Sequence, residues 1–280
     1  MRVCEALTSL ADYLSKKHID NPKTDAEFLL SFVLKCKRLE LFLNYEKILS
    51  SAQIDLLRDF SIRRAHHEPL QYIIGDVDFY GQHLKVDRRV LIPRPETEEL
   101  VYQIQQYWQG NVPEKGLELG VGSGAIIIAL TALNPKLMMI GVDISKEALS
   151  IAYDNAIDNR VNTRIQFLHS SWFEKIKGTF DFIVSNPPYL TQEEYEHAQE
   201  EVRLFEPYNA LVAKDKGLQD LKTILKDGIK HLNKGGFVVL ETGLNQHRTL
   251  AAYAKQCGYK TTRSTLDLLK RERYFWAWKD

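Results

Sequence analysis

Leu117-Glu118-Leu119-Gly120-Val121-Gly122-Ser123-Gly124 is the stretch on which the fold turns. A short strand end runs into a glycine-rich turn, and Ala125 to Leu133 continues as a predicted helix. Glycines let the backbone approach a ligand closely, and the helix that follows turns its unpaired N–H groups toward it. A glycine loop alone is weak. The next apolar run, Leu137 to Val142, ends in Asp143, nineteen positions after Gly124, where an acid can accept both hydroxyls of a ribose. Strand, loop, helix and acid together point to a nucleoside cofactor, for which NAD is the obvious competitor. The spacing, however, is G-x-G-x-G with Ala125 in place of the last glycine of the dinucleotide form. Glu118, just upstream, suits the cationic amino group of a methionine, and with Asn186-Pro187-Pro188-Tyr189 further on the loop reads as a site for S-adenosylmethionine rather than NAD.

Outward from this stretch, strands and helices alternate from about residue 115, which predicts an α/β domain with a mostly parallel sheet covered on both faces. Arg164 to Leu168 is the third strand, followed by His169-Ser170-Ser171-Trp172-Phe173. Ligands of open α/β sheets bind at the carboxyl ends of strands, so Trp172 is a candidate to flank an adenine ring, with core packing as the plainer alternative. The fourth strand, Phe180 to Ser185, is stopped by Asn186-Pro187-Pro188-Tyr189. Proline has no N–H to give to a ladder and fixes its own φ, so the loop is stiff. Asn186 Oδ1 and the Pro187 carbonyl can each accept one N–H of a planar nitrogen, and Tyr189 can lie against its flat face. Such a nitrogen can be presented to a methyl donor by positioning alone, with neither a metal nor a strong base.

Glu193 to Glu206 is acidic and reads as a cover; helices over 217–232 and 244–256 bracket a strand over Gly235 to Glu241. Lys260 to Thr262 and Arg273 to Trp278 read as an antiparallel pair closing the sheet, with the basic aromatic run near Lys270 as a charged hairpin tip.

Toward the N-terminus, residues 1–67 read as a helical bundle, with Leu7, Leu10, Ala11 and Leu14, then Phe28, Leu29, Phe32 and Val33, then Ile54, Leu57 and Ile62 at helical spacing. Thr24 with Glu27, and Ser50 with Gln53, have the form of capping boxes. Arg63-Arg64-Ala65-His66-His67 reads as a solvated helix end rather than a metal site, because adjacent helical histidines point about 100° apart. Residues 68–95 hold a hairpin, Val77 to Tyr80 and His83 to Val86 about a Gly81-Gln82 turn. Thr97 is read as opening the next helix, and Arg94, between two prolines, is either linker or a wall of the acceptor pocket. Residues 96–280 form the cofactor domain.

Lys plus Arg equals Asp plus Glu, 37 against 37, without the basic excess expected of a phosphate-backbone binder. Cys4, Cys36 and Cys257 form no C-x-x-C pair, so neither a disulfide framework nor a zinc site is indicated, and a cytoplasmic location fits. The start carries an early acid and no long apolar core, unlike a signal peptide, and no run is long enough to span a bilayer.

These residues together resemble the class I S-adenosylmethionine methyltransferases, and within them the release factor glutamine N5-methyltransferases, the PrmC/HemK family. The resemblance covers nearly the whole length: the helical N-terminal domain, Ile92 to Glu98, Glu118 to Gly124, Ser185 to Tyr189, and Phe205-Glu206-Pro207 leading to Ala210-Leu211. It implies a Rossmann-like seven-stranded domain joined by the hairpin to the helical bundle. It further implies that Glu118, Gly120, Val121, Gly122, Ser123, Gly124, Asp143, Trp172 and Asn186 hold S-adenosylmethionine and its product S-adenosylhomocysteine. Asn186, Pro187, Pro188 and Tyr189, with Arg94, would grip the glutamine of the Gly-Gly-Gln loop of peptide-chain release factors, with Asn186, Pro187 and Tyr189 catalytic. The helical domain would dock the factor's body, and a monomer is expected. Ser171 departs from an acid usual beside the adenine amine; Lys270 and Thr242 replace a glycine and an isoleucine and bear on packing. The rivals are a ribosomal-protein glutamine methyltransferase, an adenine-N6 nucleic-acid methyltransferase, which would have to flip a base, and a cofactor-sensing protein without chemistry.

Overall fold

Apolar residues at helical spacing in the first 75 residues and at strand spacing after residue 115 build separate cores. The computed structural model describes all residues, 1–280, and divides into two units: Met1–Gly75 with Gln199–Phe205, and Asp76–Ala198 with Glu206–Asp280.

The first unit contains α1 (Val3–Lys16), α2 (Pro22–Leu34), α3 (Ser51–Ala65) and α4 (Leu70–Ile74), with a 3₁₀ turn at Arg38–Asn44. Leu7, Leu10 and Leu14 meet Leu29, Leu30, Val33, Leu57 and Phe60 in one core. The apolar stripe of α2 is rotated from the sequence expectation: Leu30 is buried, while Phe28 and Phe32 are exposed, as is Ile62 of α3. The capping box at Ser50 and Gln53 forms. The one expected at Thr24 does not, because Pro22 fits the first turn and starts α2 earlier, leaving Glu27 to pair with Arg38. Arg64 is likewise no solvated residue: it is buried, donating from Nε to Asp25 at 2.6 Å and from Nη2 to Glu201 at 2.5 Å. Removing one partner of such a buried pair leaves a charge uncompensated, at a cost of about 3–5 kcal/mol.

The second unit opens with an antiparallel hairpin, β1 (Asp76–Phe79) and β2 (Gln82–Lys85). Its turn is Tyr80-Gly81, one residue earlier than the sequence reading, because both carry positive φ, 47° and 77°, as a tight two-residue hairpin turn requires. Phe79 and Leu84 join the core of this unit. Then follow α5 (Pro95–Trp108), β3 (Lys115–Leu119), α6 (Ala125–Leu133), β4 (Met138–Asp143), α7 (Lys146–Asp158), β5 (Ile165–His169) and β6 (Phe180–Ser185). The single-turn helices α8 (Gln192–Glu196), α9 (Glu200–Phe205, in the first unit) and α10 (Lys214–Gly217) lead to α11 (Gln219–Gly228), β7 (Leu232–Glu241), α12 (His247–Cys257), β8 (Thr261–Leu266) and β9 (Glu272–Trp278).

The seven strands lie in the order β5-β4-β3-β6-β7-β9-β8, parallel except for the pairings made by β9, so the expected seven-stranded α/β sheet is present. Strand residues alternate between its two layers. Phe182 and Val184 pack with Leu100, Ile104 and Trp108 of α5 and with α6, while Ile183 packs with Leu221, Ile224 and Leu225 of α11 and Leu250 of α12. Gly116 sits where a Cβ would strike the Phe182 ring at 2.4 Å, so only glycine lets β3 lie beside β6. The parallel strands thus end side by side at one edge of the sheet, and the candidate chemistry gathers there.

Candidate active site

The carboxyl ends of β3, β4, β5 and β6 open onto a cavity of about 590 Å³. At its floor, Gly120, Gly122 and Gly124 have φ of 72°, 55° and 87°, values that bring the loop back on itself beneath α6. At Gly124 a Cβ would meet Ile128 at 2.8 Å and Ala152 at 3.3 Å, so this glycine serves helix packing rather than ligand contact. Gly120, Val121, Gly122 and Ser123 line the cavity and Gly124 does not. Asn155 of α7 fastens the loop, donating to the Ser123 carbonyl at 2.9 Å while bonding both backbone groups of Lys85.

Glu118 is 1% exposed, and burial pushes its carboxyl well above the usual carboxylate range. Its Oε2 has no hydrogen-bond partner within the protein, yet the residue lines the cavity. A buried acceptor without a donor is costly, and a cationic amino group arriving from the cavity would satisfy it. This orphaned oxygen fits the amino-acid end of S-adenosylmethionine. Asp143 has both oxygens partly engaged: Oδ2 accepts the Gly122 N–H at 2.9 Å and Oδ1 the Ser145 N–H at 2.8 Å. Burial raises its pKa and these amides oppose the rise. It therefore shapes the glycine loop as well as facing the cavity, which the ribose reading alone did not foresee; each oxygen keeps a lone pair for a hydroxyl. Trp172, at φ 41°, lines the cavity with its ring 3.9 Å from where a Gly120 Cβ would stand, and Asp220, whose carboxyl burial pushes up, lines the same cavity.

At the other end, Asn186 and Pro188 line the cavity beside Arg94, whereas Pro187 and Tyr189 do not. Arg94 is held by the buried Glu206, which also accepts the Ile92 N–H at 3.3 Å. Asn186 Nδ2 donates to Thr97 Oγ1 at 3.1 Å, and Thr97 Oγ1 donates to Glu241 Oε2 at 2.8 Å. Tyr189 donates its phenol O–H to Glu241 Oε1 at 3.0 Å and stands 5.8 Å from the Arg273 guanidinium. Burial beside Glu241 pushes the Tyr189 phenol far up, so it stays protonated. Tyr189 is thus anchored through its hydroxyl while its side chain stays half-buried. Arg94 acts as the N-cap residue of α5, and Pro95 fills its first turn, so Thr97 lies inside the helix and its hydroxyl is released for the site rather than spent on capping. Sequence reasoning missed Thr97 as a site residue and missed Glu241 altogether. A signal existed: Glu241 is an acid ending an apolar strand, like Asp143.

Of the sequence candidates, Glu118, Gly120 to Ser123, Asp143, Trp172, Asn186, Pro188 and Arg94 converge on one cavity. Ser170, Ser171, Asn209 and Asp220 join them. Nowhere do three or more His, Cys, Asp or Glu side chains converge to hold a metal ion.

A seven-stranded sheet of this order, with a glycine loop after β3 and Asn-Pro-Pro-Tyr after β6, defines a class I methyltransferase, a class whose methyl donor is S-adenosylmethionine. Residues 97–213 match the methyltransferase small domain, and residues 5–75 match the PrmC N-terminal domain. Solved folds agree. The hMettl16 catalytic domain, crystallised with an RNA hairpin, aligns at a TM-score of 0.60 and 18% identity over 79% of this chain and 82% of that one. A methyltransferase from Pyrococcus furiosus aligns at 0.54 and 17% identity over 82% and 99%. Among sequence relatives, the release factor glutamine methyltransferase of Rhodopirellula baltica is 35% identical over 98% of this chain and 94% of its own length. That of Caulobacter vibrioides is 34% identical over 98% and 95%, and that of Buchnera aphidicola 38% over 89% and 90%. The chain belongs to the release factor glutamine methyltransferase family.

Proposed function

We propose that the chain methylates the side-chain amide nitrogen, N5, of the glutamine in the Gly-Gly-Gln loop of peptide-chain release factors. The observation that carries this reading is Asn186, a carboxamide at the wall of the cavity whose Nδ2 donates to Thr97, which turns Oδ1, its one acceptor, away from Thr97. Asn186 Oδ1 and the Pro187 carbonyl take the two N–H groups of the glutamine amide and hold its nitrogen with the lone pair turned toward the cofactor. S-adenosylmethionine supplies a methyl group bound to a sulfonium and leaves as S-adenosylhomocysteine. A nitrogen methylated there would be cationic and would shed one proton to water, so these residues would need no strong base. Positioning of this kind is worth on the order of 7–11 kcal/mol of barrier.

Glu118 receives the cofactor's amino group, Asp143 and the amides of the glycine loop face its ribose, and Trp172 flanks its ring system. Pro188 and Arg94 shape the entrance for the glutamine side chain, and residues 1–67 dock the body of the factor. A monomer acting in the cytoplasm, without nucleic acid, fits the balanced charge and the absence of any helix long and apolar enough to cross a membrane.

The test is transfer of labelled methyl from S-adenosylmethionine to purified release factor. Label is expected on the wild-type factor and absent from a factor whose Gly-Gly-Gln glutamine is alanine. Equal labelling of the two would end this reading, and labelling of ribosomal protein alone would favour the ribosomal rival.

A further inference from the structure

Glu241 closes β7 with 1% exposure, and both of its oxygens are committed. Its partner Thr97 is 4% exposed and sits between Glu241 and Asn186. A hydroxyl owns one proton. With Glu241 ionised beside the Arg273 guanidinium, Thr97 gives that proton to the carboxylate at 2.8 Å, so toward Asn186, at 3.1 Å, it can act only as an acceptor. This compels the Asn186 amide to turn Nδ2 to Thr97 and leave Oδ1 for the cavity. The two orientations of a carboxamide are nearly identical in shape and opposite in polarity. Turned the other way, Asn186 would face the cavity with two donors, and a glutamine –NH₂ would meet donor against donor. The same carboxylate holds the Tyr189 phenol at 3.0 Å, so both ends of the Asn186–Tyr189 loop are pinned to one buried charge.

We infer that Glu241 and Thr97 are positioning residues. The acceptor character of a carboxylate at the end of β7 passes through one hydroxyl to Asn186 Oδ1, and this makes the site select a nitrogen bearing N–H over an oxygen acceptor. The inference rests on the methyl-transfer reading above and adds to it the residues that set the polarity of the acceptor pocket. A release factor carrying glutamate in place of the Gly-Gly-Gln glutamine presents two acceptors to that pocket, and wild-type protein should reject it.

Thr97→Val keeps the shape of the side chain and deletes the hydroxyl; Thr97→Ser keeps the hydroxyl. With wild-type release factor, kcat of Thr97→Val is expected to fall about tenfold to a hundredfold, the loss of one or two oriented hydrogen bonds. Thr97→Ser should recover to within about threefold of wild type, and cofactor Kd by calorimetry should be unchanged in both. The glutamate factor, added as a competitor, should bind Thr97→Val about tenfold better relative to wild-type factor than it binds the unmodified protein. Glu241→Gln, which must reverse one of the two O–H bonds, should match Thr97→Val in kcat. Equal losses in Thr97→Val and Thr97→Ser, an unchanged kcat in Thr97→Val, or loss of cofactor binding along with turnover would each overturn the positioning role. If wild-type protein leaves the release factor unlabelled, the methyl-transfer reading fails, and this inference with it.

Discussion

Two glutamates at the carboxyl edge of the sheet, Glu118 of β3 and Glu241 of β7, are equally buried at 1% exposure, and burial raises the pKa of both. They differ in what surrounds them. Glu118 has an oxygen with no partner, whereas Glu241 accepts hydroxyls on both oxygens and has the Arg273 guanidinium nearby. A buried acid with an unpartnered oxygen is a receptor for a cation, giving up its proton as the cation arrives and regaining it as the cation leaves. A buried carboxylate with every oxygen engaged is a frame for other side chains. The two ends of the cavity thus use one residue type for opposite purposes, binding at one and orientation at the other.

This contrast can be broken from either end. The largest effect is expected at the side chain that Glu241 orients. Asn186→Ala should lower kcat by about 10²–10³-fold, the usual cost of deleting a donor or acceptor aimed at a reacting centre, while cofactor binding persists in calorimetry. Loss of both together would place Asn186 in the cofactor site instead.

Glu118→Gln should act in the other sense, weakening S-adenosylmethionine binding by about tenfold to a hundredfold through loss of a charge partner. The same change should stabilise the ligand-free protein. The folded carboxyl has a raised pKa, so the folded chain keeps a proton that the unfolded chain releases. Above the ordinary value of 4.5, stability therefore falls as pH rises toward the raised pKa, and glutamine escapes that loss. Tm near neutral pH should rise by about 2 °C or more, against a wild type whose deficit shrinks toward pH 4.5. A Tm that falls would mean Glu118 supports the fold. The smallest effect is expected at Trp172. Trp172→Phe keeps a flat ring at the cavity wall but shrinks it and removes the indole N–H, and cofactor Kd should weaken only about threefold to tenfold with kcat little changed.

The contrast also marks what could be read in the chain beforehand. Glu118, the glycine loop and Asp143 lie within one strand-loop-helix-strand unit, so local spacing reveals them. Asn186 announces itself because two prolines follow it. Glu241 and Thr97 become site residues only through contacts 144 and 89 positions apart in sequence, which neither composition nor periodicity carries. Where the sequence reading strayed elsewhere, local form was overruled by packing. The Thr24 box lost to Pro22, the hairpin turn moved to the two residues that accept positive φ, and Arg64 was drawn into the helical unit by Asp25 and Glu201. The polarity of Asn186 belongs to the same kind of information, because it is set by a proton on a neighbour rather than by the residue itself.

A crystal structure of the chain with S-adenosylhomocysteine and a peptide containing Gly-Gly-Gln reads that polarity directly. The glutamine nitrogen is expected about 3 Å from both Asn186 Oδ1 and the Pro187 carbonyl, with Asn186 Nδ2 still on Thr97. An Asn186 amide turned away from the cofactor's sulfur, with the glutamine nitrogen bonded elsewhere, would contradict the account.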